Sequence, residues 1–131
     1  MTDTKYGSLI KRVKAILIDM LIIVGLGVAA STLISGIDSV PNYVKAIVFI
    51  LIFILYDPLC TSFLGGTIGH FIMGLRVRRN SDESQKIYLH IAILRFLIKV
   101  FLGSISLLTV PGNSKNRAIH DSIAGSVVIE V

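Results

Sequence analysis

A small set of charged residues lies inside or beside otherwise apolar stretches of this 131-residue chain. An ionised side chain in an apolar environment is unfavourable unless an opposite charge accompanies it. Carboxylates in such places are candidates for binding a proton or a cation, and guanidinium groups are candidates for their counter-charge. We therefore expect the set to converge in one polar cluster, whose members are Arg12, Asp19, Arg95 and Asp121.

Asp19 carries the sharpest functional hypothesis because it lies well inside the first apolar stretch. Arg12 precedes it by seven residues, which places both side chains on one helical face with about 10.5 Å of axial rise between them. A structural reading has Asp19 pair with Arg12, Arg95 or Lys99 and fix helix packing. A functional reading has it handle a proton or a cation.

Other polar residues are secondary candidates. Asp57 precedes Pro58 and is typical of a residue that caps or terminates a helix. Arg117 and Asp121 are four residues apart, the spacing of an ordinary helical salt bridge, and His120 adjoins this acid as a hydrogen-bonded interfacial histidine. Each of these residues has a structural reading as well as a functional one.

Arg95 and Lys99 have a further alternative reading as side chains that snorkel towards the membrane surface. The single cysteine, Cys60, excludes an internal disulfide and a multi-cysteine metal site. No serine lies in a nucleophile-elbow context. We therefore expect no enzymatic activity, no metal and no cofactor.

The composition indicates that a lipid bilayer surrounds much of the chain. Hydrophobic residues make up 53% and charged residues only 16%, and the mean hydropathy is +0.81. Soluble chains carry roughly 25% charged residues. The net charge is +5, and basic residues flank the apolar runs, which favours anionic lipid headgroups rather than nucleic acid as a partner.

Three apolar stretches position these residues. Two of them, 15–35 and 43–64, have the length of transmembrane helices, and Pro58 is expected to kink or end the second near residues 54–57. The third, 88–110, contains two cations that would together cost roughly 5 to 7 kcal/mol at the bilayer centre. We favour an amphipathic helix that dips into the membrane over a full third crossing. The predicted fold is an all-α, single-domain membrane protein.

The distribution of basic residues predicts the orientation. Lys and Arg are frequent before the first span and after the second, which places both segments in the cytoplasm and leaves residues 35–45 outside. The C-terminal segment 115–131 is then cytoplasmic as well. Residues 75–78 and 86–89 alternate polar with apolar around the turn-rich segment 80–84, so they predict a short hairpin or loop.

Four glycines follow the second apolar run closely. Glycine permits turns and close backbone approach, and we predict that these four serve helix packing. The segment lacks the Lys-Ser/Thr ending of a phosphate-binding loop. The four are Gly65, Gly66, Gly69 and Gly74.

These motifs, in this order, resemble the RDD family of bacterial inner-membrane proteins, named for one arginine and two aspartates. Arg12 and Asp19 match its first helix, and His120-Asp121 match its C-terminal motif. The sequence Gly66-Thr67-Ile68-Gly69 and Arg95 extend the resemblance over nearly the whole chain. His70 departs from the family, which usually has lysine there. If that lysine binds lipid phosphate or an acidic partner, His70 does so only when protonated.

The resemblance implies an integral protein of the bacterial inner membrane, and transport is an activity proposed for the family. We expect proton-coupled cation movement with Asp19 and Asp121 as titratable ligands. Two or three helices do not enclose a pore, so a homo-oligomer or a membrane-protein partner is implied. The alternative is a structural or assembly subunit without transport activity of its own.

Overall fold

The computed structural model describes residues 5–112 and 114–131, with the side chains of residues 104 and 109 left undescribed. Helix α1, Leu9–Ser35, and helix α2, Asn42–Leu59, dominate it. Helix α2 continues into a π-helical turn, Cys60–Leu64. Helix α1, and helix α2 together with this turn, are each long and apolar enough to cross a membrane. The predicted all-α membrane fold with two transmembrane helices is confirmed.

Most apolar side chains of these two helices point away from the rest of the molecule. Leu21 and Leu33 of α1 are each 75% exposed, and α2 presents Ile50 and Phe53 in the same way. In water such a surface would drive aggregation, whereas lipid tails solvate it without penalty. The exposed apolar faces therefore indicate that the bilayer surrounds α1 and α2.

The sequence predicts that Pro58 kinks or ends the second helix near residues 54–57, and the helix does not end there. Helix α2 runs through Pro58 to Leu59, and its geometry departs from α-helical only in the following π-helical turn. Proline removes a single backbone donor, a loss that membrane helices tolerate. The turn then ends at Gly65, whose φ of +85° is left-handed and suits glycine.

The third apolar region is broken. Helix α4, Leu89–Leu102, is followed by a 3₁₀ segment, Gly103–Gly112, and the direction changes by 100° between α4 and residues 105–112. A short helix α3, Ile68–Ile72, precedes this region, and a short helix α5, Ile119–Ala124, follows it.

A two-stranded antiparallel sheet replaces the hairpin predicted around residues 80–84. Strand β1, Leu75–Arg79, pairs with strand β2, Ser126–Glu130, and Val77 lies opposite Val128. This pairing buries Leu75, Val77 and Val128 completely, and Ile87 packs against the same core. The alternation at 75–78 correctly indicates a strand, but the C-terminal segment offers it a more apolar partner than residues 86–89.

The segment before α1 also pairs with strand β2. Tyr6 forms an isolated bridge with Ile129, and the Gly7 N–H donates to the Val128 carbonyl at 2.8 Å. The segment before α1, the strand after α2 and the C-terminal strand therefore lie together at one end of the molecule. The third apolar region lies between β1 and β2 in the sequence, so the chain enters and leaves this region from the same end of the molecule.

Candidate functional site

Asp121 is the centre of a buried ion cluster. It lies in the first turn of α5 and is 0% exposed. Its Oδ2 accepts from Arg12 at 2.6 Å and from the Ala118 N–H at 3.1 Å, while its Oδ1 accepts from Arg95 Nε at 3.0 Å and from the Ser126 hydroxyl at 3.3 Å. Four donors thus occupy this carboxylate.

The electrostatic balance keeps Asp121 ionised. Burial by itself raises the pKa of the Asp121 carboxyl, but the charges of Arg95 and Arg12 outweigh it and hold that pKa well below its usual range. Arg12 also donates to the Gly7 carbonyl at 3.3 Å and to the Asn116 carbonyl at 2.6 Å. The start of α1 is therefore fastened to the segment that carries Asp121.

A second pair of ions extends the cluster towards α2. Lys99 Nζ lies 2.7 Å from Asp57 Oδ2, and Arg95 Nη1 lies 3.8 Å from Asp57 Oδ1, which also accepts from the Thr61 hydroxyl at 3.1 Å. The cluster, defined as Arg12, Asp57, Arg95, Lys99 and Asp121, holds one more positive than negative charge. Among the residues that the structure describes, Arg95 Nη1 is the buried side-chain nitrogen or oxygen without a hydrogen bond.

These contacts correct two structural readings from the sequence. Asp57 does not act as a helix terminator, because α2 continues beyond it and its carboxylate pairs across to α4. Arg95 does not snorkel, since it is 1% exposed and faces inward. The buried acids inside the protein attract these cations more strongly than distant headgroups do.

Asp19 lies outside the buried ion cluster, although the sequence predicted that it would join Arg12, Arg95 and Asp121. Its Oδ1 accepts from the Tyr56 hydroxyl at 2.8 Å and from the Gly69 N–H at 2.8 Å. Its Oδ2 lies 2.6 Å from the hydroxyl oxygen of Thr67. Within the described ranges, no Lys, Arg or His nitrogen lies within 4.0 Å of this carboxylate.

Short helix α3 supplies half of this environment. Thr67 is its N-cap, so the first N–H groups of α3 are free to point at Asp19. Gly69 permits the close approach, because a Cβ there would overlap the Ala15 carbonyl oxygen and lie 2.8 Å from Asp19 Oδ1. We name Asp19, Tyr56, Thr67 and Gly69 the Asp19 site.

The other three glycines do not pack helices as predicted. Gly65 and Gly74 have positive φ values, +85° and +69°, and form turns on either side of α3. Gly66 lies beside the Cβ of His70, 3.0 Å from where its own Cβ would be. Only Gly69 of the four brings two helices together.

His70 faces the Asp19 site and not the membrane surface. It is 5% exposed, its Nδ1 lies 2.6 Å from Thr67 Oγ1, and this nitrogen also accepts from the Thr67 N–H at 3.2 Å. Burial, reinforced by the charges of Arg95 and Lys99, lowers the pKa of His70 to about 3. A headgroup-binding role that requires a protonated, accessible His70 does not fit this position.

His120 is hydrogen-bonded but lies buried, whereas the sequence suggested an interfacial histidine. Its Nδ1 lies 2.5 Å from the Ser106 hydroxyl, and burial together with the charge of Arg95 lowers its pKa to about 3. Arg117 donates to the carbonyls of Asp121, Ser122 and Ser126 and so closes the ends of α5 and β2. Across residues 5–112 and 114–131 no group of three or more His, Cys, Asp or Glu side chains could hold a metal ion.

A cavity of about 470 Å³ separates α1, α2 and α4. Apolar side chains form most of its wall. Its polar edge is formed by Asp19, Asp57, Lys99 and His120. The cavity is partly open, and it is lined by Asp19 and Tyr56 of the Asp19 site and by Asp57 and Lys99 of the buried ion cluster.

Sequence reasoning missed Tyr56 and Thr67 as parts of the site. Both are neutral, and they lie 37 and 48 residues from Asp19. The one available signal was the position of Thr67 inside the glycine motif, where a threonine N-cap leaves helix N–H groups free for an acid.

Comparisons with known proteins agree with this arrangement. The model of the RDD family matches residues 6–125, which include Arg12, Asp19, Arg95 and Asp121. No curated protein and no solved structure matches the chain. Because the match covers nearly all of a chain with two apolar, membrane-length helices, this small membrane protein belongs to the RDD family.

Proposed function

We propose that this protein takes part in proton-coupled cation movement across the bacterial inner membrane, with Asp19 as the carboxylate that binds and releases the proton. One observation carries the proposal. Asp19 is 7% exposed, lines the central cavity and is surrounded by neutral donors within the described part of the chain. Such a carboxylate gains or loses a proton without breaking an ion pair.

The other two buried acids are less suited to this role. Asp57 and Asp121 each contact two cations, which stabilise their ionised forms and fix their positions. Protonating either one would leave a guanidinium or ammonium group buried without its counter-charge. The proposal therefore moves the titratable role from the pair Asp19 and Asp121 to Asp19 alone.

The arrangement of the sheet supports a cytoplasmic location for both termini. Since β1 and β2 pair, the third apolar region enters and leaves on one side, as a re-entrant segment does. The same end carries Lys11, Arg76, Arg78 and Arg79, which favours the cytoplasmic side and contact with anionic headgroups. Two spans do not enclose a pore, so transport requires a homo-oligomer or a membrane-protein partner.

Liposomes containing the purified protein test the proposal. A pH-sensitive dye inside the vesicles reports proton movement when a Na⁺ or K⁺ gradient is imposed across the membrane. We expect flux from the wild type, no flux from Asp19→Asn, and unchanged flux from Asp38→Asn, because Asp38 lies exposed in the turn between α1 and α2. Absence of wild-type flux under every gradient, or full flux from Asp19→Asn, would contradict it.

A structural or assembly subunit is the second candidate. The four hydrogen bonds that Asp121 accepts favour this candidate. They join α1, α4 and α5 through one carboxylate and leave it no lone pair for a transported ion. On this reading Asp19→Asn lowers the amount of folded protein in the membrane. Normal membrane levels of Asp19→Asn together with lost flux favour transport instead.

A further inference from the structure

We propose that Asp19, Thr67 and His70 form a proton relay, and that the resting protein carries the relay's proton on Asp19. The proposal rests on the proposed function and deepens it, because it states where the proton is held and by which route it leaves Asp19, which lines the central cavity. It follows from counting hydrogens among three side chains that belong to α1 and α3.

The hydroxyl of Thr67 is in close contact with both neighbours. Its Oγ1 lies 2.6 Å from Asp19 Oδ2 and 2.6 Å from His70 Nδ1, and each distance is that of a strong hydrogen bond. A threonine hydroxyl has one hydrogen to donate. It therefore serves one neighbour, and the other neighbour must supply the second hydrogen.

His70 Nδ1 does not supply it. The backbone N–H of Thr67 points at this same nitrogen at 3.2 Å, which requires Nδ1 to be an acceptor. The ring is then neutral with its hydrogen on Nε2, and the Thr67 hydroxyl donates to Nδ1. The remaining hydrogen lies on Asp19 Oδ2, which donates to Thr67 Oγ1.

The surroundings of Asp19 fit a neutral carboxylic acid. Its Oδ1 accepts two hydrogens, from the Tyr56 hydroxyl and the Gly69 N–H, as a carbonyl oxygen with two lone pairs does. The Tyr56 oxygen in turn accepts from the Ile68 N–H at 3.2 Å. When the proton is on Asp19, each of these contacts joins one hydrogen to an acceptor atom.

The opposite arrangement leaves a conflict. An ionised Asp19 takes the Thr67 hydrogen, and His70 must then carry a hydrogen on Nδ1, directly opposite the Thr67 N–H. A positively charged His70 would also face other charged groups, which come from α1, α2 and α4. Of these, Arg12, Arg95 and Lys99 disfavour its protonation and Asp57 favours it. Tyr56 and Cys60 are the other titratable groups near Asp19.

The relay step moves two protons in one direction. The Asp19 Oδ2–H bond breaks as its proton bonds to Thr67 Oγ1, and the original Thr67 O–H bond breaks as its proton bonds to His70 Nδ1. Asp19 is left ionised and His70 becomes an imidazolium, which passes its Nε2 proton to water. The reverse sequence reloads Asp19.

Infrared spectroscopy of the full-length protein in lipid nanodiscs at neutral pH tests the resting state. We expect the carbonyl stretch of a protonated carboxylic acid in the wild type, its loss in Asp19→Asn, and its retention in the matched control Asp38→Asn. ¹⁵N NMR should find Nδ1 of His70 unprotonated, with the signal assigned by its absence from His70→Gln. A missing carbonyl band in the wild type, or a protonated Nδ1, would overturn the relay.

Thr67 variants test the connection. Thr67→Ser keeps the hydroxyl and should keep both the carbonyl band and the His70 signal at their wild-type positions. Thr67→Val removes the hydroxyl and should shift both signals, and unshifted signals would contradict the relay. If Thr67→Val does not fold, the wild-type spectra still decide. None of these measurements needs a gradient, so a carbonyl band without flux refutes transport alone, and flux without a band refutes the relay alone.

Discussion

Replacing Asp121 by Asn removes the negative charge that Arg12 and Arg95 share inside the molecule. The carboxylate accepts four hydrogen bonds, two at each oxygen. An amide has one oxygen, so in either orientation its NH₂ group faces two donors. One arginine then loses its acceptor, Arg12 loses its ion pair with Asp121, and Arg95 keeps only its longer ion pair with Asp57 at 3.8 Å.

The loss in stability should be large. Removing one partner of a buried ion pair destabilises proteins by about 3 to 5 kcal/mol. Small domains have a total stability of about 5 to 15 kcal/mol, so the variant should retain only part of it. Arg12 and Arg95 are 3% and 1% exposed, and solvent therefore does little to stabilise them once the acid is gone.

A matched control lies at the surface of the sheet. Glu130 also contacts two cations, Lys5 at 3.3 Å and Lys11 at 2.8 Å. Its own side chain is 9% exposed, but those of the two lysines are 77% and 37% exposed, so water solvates both cations if the acid is lost. Exposed pairs contribute about 0 to 1 kcal/mol, so Glu130→Gln should change little. Chemical unfolding of both variants in the same detergent compares the two free energies of unfolding. If the two free energies of unfolding differ by less than about 1 kcal/mol, the large stabilising contribution assigned to Asp121 is refuted.

Three further outcomes are expected. Gly69→Ala should lower the free energy of unfolding by about 1 to 3 kcal/mol, because the added Cβ overpacks the contact between α3 and α1. Gly25→Ala should leave the free energy of unfolding unchanged, since nothing lies within 4 Å of its added Cβ. Equal effects of the two substitutions would contradict the close approach of α3 to α1. The protein should lose stability as pH falls from about 6.5 towards 3, because the unfolded chain protonates His70 and His120 in this window while their pKa values in the folded state are about 3. His120→Gln should remove one of these two contributions and so weaken the dependence of the unfolding midpoint on pH, and an unchanged dependence would contradict it. In a chain whose native cysteine has been replaced, an impermeant thiol reagent added to intact cells should label Asp38→Cys and not Ser114→Cys, and labelling of Ser114→Cys would show a complete third crossing. The neighbouring Asn113 would suit the same labelling but lies outside the described residues.

The parts of the fold that follow from composition were predictable. Hydropathy and length identify both spans because lipid solvation depends on the residues of one segment alone. The convergence of Arg12, Arg95 and Asp121 was predictable for a similar reason, since three isolated charges in apolar surroundings have few partners other than one another. Both inferences need no knowledge of long-range geometry.

The sequence did not predict which strand pairs with β1 or which groups contact Asp19. The alternation of residues 75–79 fits a strand, but it says nothing about whether residues 86–89 or β2 lies beside it. Asp19 illustrates the same limit. A buried acid needs a partner, and from the sequence we expected only cations. Three neutral groups contact Asp19 instead: the Tyr56 hydroxyl, the Thr67 hydroxyl and the Gly69 N–H.

The order of the cluster residues along the chain determines the order in which they are synthesised. Arg12 and Arg95 leave the ribosome well before the acid that neutralises them, and β1 is synthesised before β2. Both transmembrane helices are therefore available for insertion while the two arginines still lack Asp121. Synthesis of α5 and β2 completes the cluster and the sheet together, so a chain interrupted before Asp121 carries unneutralised buried charge and an unpaired strand edge.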